Sequence, residues 1–276
     1  MNWVDFILNI AGLLLWLNWR AGKTDPLVRR MPATLAGTLR RAEPLRLRRW
    51  TFPVILAALL VIRAFFYRLI GPALGWVGTL DLAVISLAFR SNWFAPMLVY
   101  SLLSFALTLG VFYSWLLLFS LLKGPKPIHD FVRLQLGGID GWPRGARLAL
   151  PAVVTALSWW ALTWVLAALK VLPHPVSEIV RLEEAGIIAV QSYLNWKYPI
   201  AAVLTLHLLN EYIYFGTQPI WNYADATGQK LLRPLKKTPL RMGRADFAPV
   251  VGIALVFLFS ELAGRGLALL YKRLSG

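Results

Sequence analysis

The sequence predicts an all-α membrane protein of about six transmembrane helices, arranged as three parallel helix–amphipathic connection–helix repeats. Three observations carry that expectation. First, 58% of the 276 residues are hydrophobic and the mean hydropathy is +0.60, whereas ordinary soluble domains are ~45–50% apolar. Second, a net charge of +16, from 29 Lys and Arg against 13 Asp and Glu, is concentrated in alternate connections between apolar stretches. Third, one proline-containing phrase returns at a constant interval.

A spanning helix needs ~20 mostly apolar residues, and six stretches qualify: 3–19, 51–70, 95–122, 148–171, 199–217 and 247–271. The first could be mistaken for a secretory signal. However, Met1-Asn2-Trp3-Val4-Asp5 lacks a positive leader and no small-residue cleavage site follows Trp16 and Trp19, so it reads as a retained span. Arg20 and Lys23 follow immediately and place its C-terminal end in the cytoplasm. Residues 76–90 are apolar but short, and are the candidate for a re-entrant or additional span.

The connections differ sharply in charge. Residues 20–50, 123–147 and 218–245 hold twenty of the 29 basic residues, while 71–94 and 172–198 hold only Arg90, Arg181 and Lys197. Such asymmetry orients spans with the basic loops inside. It also turns a basic excess that would suggest nucleic acid in a soluble protein into a topology signal. The basic connections mix apolar residues with charge, and His129 to Leu136 and Gln229 to Lys237 fit short amphipathic segments lying in the interface. Arg48, Arg49, Arg144, Lys236, Lys237 and Arg241 are the lipid- or partner-facing cations, each worth ~1 kcal/mol near anionic headgroups. On the outer side, 172–198 reads as a surface segment, with Ser177 as N-cap and Ile179, Leu182, Ile187 and Val190 on one face. Thirteen tryptophans suit a chain with many membrane–water boundaries. With no cysteine, disulfides and thiolate chemistry are excluded.

The repeated phrase is Arg49-Trp50-Thr51-Phe52-Pro53-Val54-Ile55-Leu56, then Arg147-Leu148-Ala149-Leu150-Pro151-Ala152-Val153-Val154, then Arg244-Ala245-Asp246-Phe247-Ala248-Pro249-Val250-Val251. Pro53, Pro151 and Pro249 are separated by 98 residues each time. A second proline, Pro26, Pro127 or Pro219, precedes each. A proline in the first helical turn is tolerated because its missing N–H would be unpaired there. That accounts for each proline singly, but not for the common spacing. The chain therefore divides into 1–94 as a divergent first repeat, 95–171 as the second, 172–198 as the outer segment and 199–276 as the third. Copies that all enter from one side are parallel repeats about an axis along the membrane normal.

The last third resembles the YggT family of small integral membrane proteins, called YlmG in Gram-positive bacteria and plastids. The likeness rests on Gln218-Pro219-Ile220, on Leu231-Leu232-Arg233-Pro234-Leu235-Lys236-Lys237, and on Asp246-Phe247-Ala248-Pro249-Val250-Val251. Pro219, Arg233, Pro234, Asp246, Phe247 and Pro249 are the matching motif positions. Residues 96–171 look like a weaker copy with Leu148 where the motif has an acid, and 1–94 keep only the pattern. The resemblance implies a membrane scaffold or an assembly and organisation factor of a bacterial inner membrane or a thylakoid. Family members are associated with osmotic and ion homeostasis, the neighbourhood of cell-division genes, nucleoid organisation and cytochrome b6 maturation. A third repeat departs from the usual two.

Ionisable residues inside spans are candidate functional sites, because a charge at the bilayer centre costs ~2.5–3.5 kcal/mol on insertion scales. Here they are Arg63 and Arg68, His207 with Glu211, and Glu261 with Arg265, the last two sets at i,i+4. The sequence suggests a polar cluster of His207, Glu211, Glu261 and Arg265 between the fifth and sixth spans, with Arg63 in reach. Such a cluster would serve a proton- or ion-linked channel or transporter, or act as interhelical polar glue, and the glue reading is the stronger. Arg68, Arg265 and Lys170 read as snorkelling groups. Asp246 reads as a helix-terminal acid complementing the dipole. Neither a metal-ligand spacing nor a phosphate-binding glycine motif is present, so no cofactor, metal or enzymatic activity is expected. The expected partners are a bilayer with anionic headgroups and other membrane proteins, with nucleic acid the weaker reading of the basic loops.

Overall fold

The computed structural model describes residues 2–21, 50–82, 84–122, 126–172, 177–213, 219–235, 241–242 and 245–275. In chain order the helices are α1 (Asn2–Ala21), α2 (Thr51–Ile70), α3 (Phe94–Leu122), α4 (Lys126–Leu136), α5 (Arg144–Ala168), α6 (Glu178–Gln191), α7 (Lys197–Tyr212), α8 (Pro219–Leu231) and α9 (Ala248–Ser275). Two small sheets accompany them: β1 (Gly78–Leu82) with β2 (Ile85–Phe89), and β3 (Arg241–Met242) with β4 (Ala245–Asp246).

Four helices, α2, α3, α5 and α9, are long and apolar enough to cross a membrane. Among the described residues α1 and α7 are not in that group, so four of the six expected spans meet the length and hydropathy of a crossing helix. Asn2, Asp5, Asn9 and Asn18 dilute the hydropathy of α1, and α7 has 16 residues, short of the ~20 that a bilayer core requires. The 76–90 stretch is neither a span nor a re-entrant helix. Its alternating buried and exposed residues form β1 and β2, as period-two patterning requires.

The chain folds as two compact units, Met1–Leu80 with Ala88–Leu109, and Asp81–Leu87 with Gly110–Gly276. In the first, α1 and α2 pair along Leu56, Leu60 and Phe105, with Leu15 and Trp16 against them. Gly12 makes the approach possible, since a Cβ there would lie 2.8 Å from the Phe105 ring and 3.2 Å from Leu56. Small residues let membrane helices come close in this way. An aromatic group of Tyr67, Trp76, Phe89 and Tyr100 closes one end of this unit.

In the second unit, α6 and α7 are nearly one helix, joined by a 3-10 turn over Ser192–Trp196. They run antiparallel to α5, with Arg181 over the Trp164 ring at one end and the Tyr193 hydroxyl donating to the Leu148 carbonyl at the other. The same rod runs antiparallel to α9: Glu184 faces Tyr271, Leu194 faces Gly264, Tyr198 stacks on Phe257 and Leu204 meets Gly252. The turn itself is tied to α3 by Trp115 donating to the Asn195 carbonyl and by Trp196 donating to Ser114.

Residues 178–191, expected within an outer surface segment, pack as α6 against α5 and α9. Ser177 does cap α6, accepting from Val180 N–H, but the helix buries Arg181, Ala185, Ile187, Ile188 and Ala189 while Ile179, Leu182 and Val190 face outward. The buried side combines Arg181 with the apolar Ala185, Ile187, Ile188 and Ala189, while Glu178 and Glu183 share the exposed side with Ile179, Leu182 and Val190.

The prolines fall differently from a common helix-start rule. Pro53 and Pro249 lie in the first turns of α2 and α9, but Pro151 is buried inside α5, which begins earlier at Arg144 with Pro143 as its N-cap. The amphipathic connections are helical in part. α4 buries Val132 and Leu136 against Leu116 and Leu117 of α3, leaving Asp130, Phe131 and Arg133 exposed. Of the 229–237 stretch, 229–231 form the last turn of α8 and 232–234 a turn, while 236 and 237 lie outside the described residues. Pro127 lies within α4 and Pro219 opens α8, while Pro26 lies outside the described residues.

Candidate functional site

Among the described residues, a buried set of polar side chains lies in the first unit, where three helices each contribute a short polar stripe. Arg63 of α2 is 1% exposed and meets Asp5 of α1 at 2.5 Å. Its guanidinium also donates to Asn9 at 2.7 Å and to Ser104 of α3 at 3.0 Å. Asp5 is saturated in turn, accepting from Tyr67 at one oxygen and from Tyr100 at 2.9 Å at the other. Asn9 donates to Ser104, and Ser101 donates to the Leu60 carbonyl. Every charge therefore has an opposite charge and additional hydrogen bonds, as a buried pair needs if attraction is to offset desolvation. A carboxylate and a guanidinium held this way act as a lock between helices.

A second set sits in the second unit where α3 and α5 approach. Arg147 donates to Ser120 at 2.5 Å and lies 3.3 Å from Asp140, while Ser120 donates to Asp140 at 2.6 Å. His129 of α4 is 3.8 Å from the other Asp140 oxygen. Arg147 belongs to a basic connection, yet it is 7% exposed and so is no part of a docking face. Its positive charge is spent on joining α3, α5 and the 3-10 turn Gly137–Gly141 that carries Asp140.

The expected cluster of His207, Glu211, Glu261, Arg265 and Arg63 does not assemble. Arg63 is committed to Asp5 in the first unit. His207 is 8% exposed and meets Asp225 of α8, with Nδ1 2.8 Å from the carboxylate but poorly aligned for a hydrogen bond. Gly228 lets α8 lie this close, because a Cβ there would be 2.6 Å from the His207 side chain. Glu211 is exposed, so i,i+4 spacing did not bring it to histidine. Glu261 and Arg265 do pair, at 3.0 Å, but on the open side of α9, with side chains 61% and 74% exposed.

Near the rod formed by α6 and α7, Arg181 pairs with Glu178 at 2.8 Å, and Tyr271 donates to Glu184 at 3.4 Å. Burial pushes the Glu184 carboxyl above its usual range, partly opposed by the Tyr271 hydroxyl, the Trp159 indole and Arg181. Asp246 caps α9 by accepting from Ala248 N–H at 2.9 Å. The motif positions Pro219, Arg233, Pro234 and Phe247 are exposed and Pro249 is buried. Arg68, Lys170 and Arg144 are exposed, whereas Arg48, Arg49, Lys236, Lys237, Arg244 and the side chain of Arg241 lie outside the described residues. Lys230 approaches the Leu122 carbonyl at the end of α3, at 3.5 Å. Among the described residues no group of three potential ligands comes together to hold a metal.

Asp5, Asn9, Tyr100, Ser104, Ser120, Asp140 and Asp225 escaped sequence reasoning as site residues. Asp5 and Asn9 at i,i+4 on α1, with Tyr100, Ser101 and Ser104 on α3, formed the signal that could have found the largest set. Comparison with protein-family models, curated proteins and solved structures finds no match to the chain.

Proposed function

We propose that the chain is an integral membrane scaffold or assembly factor of the YggT type, with three parallel repeats and a basic cytoplasmic face that captures other membrane proteins. The single observation that carries this reading is the sorting of charge: twenty of the 29 basic residues occupy three alternate connections, as expected of loops held inside. Two features accompany it. α4 is seated on α3 with Arg133 outward, and the buried arginines Arg63, Arg147 and Arg181 are each paired with a carboxylate, which suits a rigid frame. A bacterial inner membrane is the proposed location, with the thylakoid as the alternative. The test is crosslinking in native membranes after Lys230, Arg233, Lys236, Lys237, Arg241 and Arg244 are changed to Gln. The expected result is loss of the crosslinked partners at unchanged chain abundance. An unaltered set of partners overturns the reading.

One observation favours a second class, a proton- or ion-linked channel: Asp5 is a carboxylate only 13% exposed among three helices, and buried intramembrane acids often mark ion paths. Reconstituted vesicles separate the two readings. Flux that disappears in Asp5→Asn supports a channel, and absence of flux from the intact protein rules it out.

A further inference from the structure

α9 has two unlike sides. One is packed: Gly252 touches Leu204 and Leu232, Gly264 faces Leu194, Leu267 is 9% exposed and Tyr271 reaches Glu184. The other is open and carries Ala254, Leu258, Glu261, Leu262, Arg265, Gly266 and Leu269. Ala254, Leu258, Glu261, Arg265 and Ala268 follow alternating steps of four and three, the spacing of a helix–helix seam.

Glu261 lies midway along this helix, which is long and apolar enough to cross a membrane. A glutamate is too short to snorkel from that depth. Its bond to Arg265 neutralises the pair, but both side chains remain mostly exposed, and charge at bilayer depth is tolerated where it faces protein or water.

We infer that this face of α9 is a homodimer interface, occupied by α9 of a second copy of the chain. The argument is self-complementarity. A two-fold axis along the membrane normal brings the same patch onto itself. Each Glu261 then lies between its own Arg265 and Arg265 of the second copy, giving a neutral quartet of two acids and two bases. Ala254 and Ala268, small residues on the same seam, allow close approach on either side of it. A partner carrying a single charge would leave this patch unbalanced, whereas a copy of the same patch balances it. The inference is independent of the scaffold reading, because it concerns self-association and not capture by the basic loops.

Absence of native cysteine makes single-cysteine crosslinking in native membranes direct. Leu258→Cys and Leu262→Cys are expected to give a covalent dimer on oxidation. Leu267→Cys on the packed side, and Phe65→Cys, an exposed position on α2 that reports random collision, are expected to give at least tenfold less. A second arm uses Leu258→Cys with Glu261→Arg on one tagged chain and Arg265→Glu on another. Either chain alone carries a like-charged patch and should lose the dimer at least tenfold. Co-expression should restore it as a heterodimer, although neither chain retains an intrahelical pair. No interchain product at 258 and 262 overturns the inference, as does equal product at 65, or co-expression that stays as low as either chain alone. Should a charge variant fail to accumulate, the cysteine scan with native charges decides.

Discussion

Arg63 and Arg265 occupy similar sequence settings and very different physical ones. Each sits in an apolar helix and each meets a carboxylate. Arg63 reaches across 58 residues to Asp5 and is 1% exposed, whereas Arg265 bonds one turn back to Glu261 and remains 74% exposed. The difference teaches that i,i+4 spacing reveals pairs within a helix and is blind to pairs between helices. The interhelical pairs are those that hold the fold. An intrahelical pair instead advertises a neutral but polar patch to whatever lies outside.

The largest effect should come from breaking the hidden pair. Arg63→Met leaves Asp5 buried with only tyrosine donors, and removal of one partner of such a pair costs about 3–5 kcal/mol. Thermal or denaturant unfolding in detergent should show it, and Asp5→Leu with Arg63→Met should recover part of the loss because no charge is left unpaired. If Arg63→Met costs no more than Arg265→Met, the contrast between the two pairs collapses. Arg147→Met should fall between them, at about 1.5–3 kcal/mol for lost hydrogen bonds to a charged group, since Asp140 keeps Ser120 as a donor.

Glu184 sharpens the contrast by titration. Its carboxyl is held above the ordinary value of 4.5, mainly by burial. The folded state therefore favours the protonated form. The group imposes no penalty below that ordinary value, and stability is lost as pH rises through the elevated folded value. Glu184→Gln cannot ionise. It should unfold at a higher temperature than the native chain at neutral pH, and the gap should close as pH falls below 4.5. A gap that persists or widens in acid would remove burial as the cause.

How much of this was legible in the sequence depended on the range of the interaction. All six apolar stretches are helical over most of their length, with α2 matching 51–70 and α3 differing by one residue, because local hydropathy decides them. The start of α5 was missed. Arg144 and Arg147 look like loop cations, and only tertiary contacts with Ser120 and Asp140 give Arg147 a place inside. The outer segment was misread for a related reason. Ile179, Leu182, Ile187 and Val190 were placed on one face, but the helix buries only Ile187 of these, together with Ala185, Ile188, Ala189 and Arg181, which lies over Trp164 and against Glu178. At the polar sites Arg63 was visible as a charge in a span, while Asp5 entered only as part of a start that lacks a positive leader and His207 was matched to Glu211 when its neighbour is Asp225. Pairing across helices is set by packing, which periodicity does not encode.

The smallest effect on the fold should come from Arg265→Met, and it bears most on the comparison. An exposed i,i+4 pair contributes only about 0.3–0.5 kcal/mol, so unfolding of the monomer in detergent should barely move. The same change leaves Glu261 charged on an apolar face, where a second copy can no longer balance it. Loss of dimer crosslinking through Leu258→Cys with an unchanged unfolding curve is therefore the expected outcome. A stability loss approaching that of Arg63→Met would mean that this pair, too, holds the chain together from within. In that case exposure on α9 would cease to mark an interface.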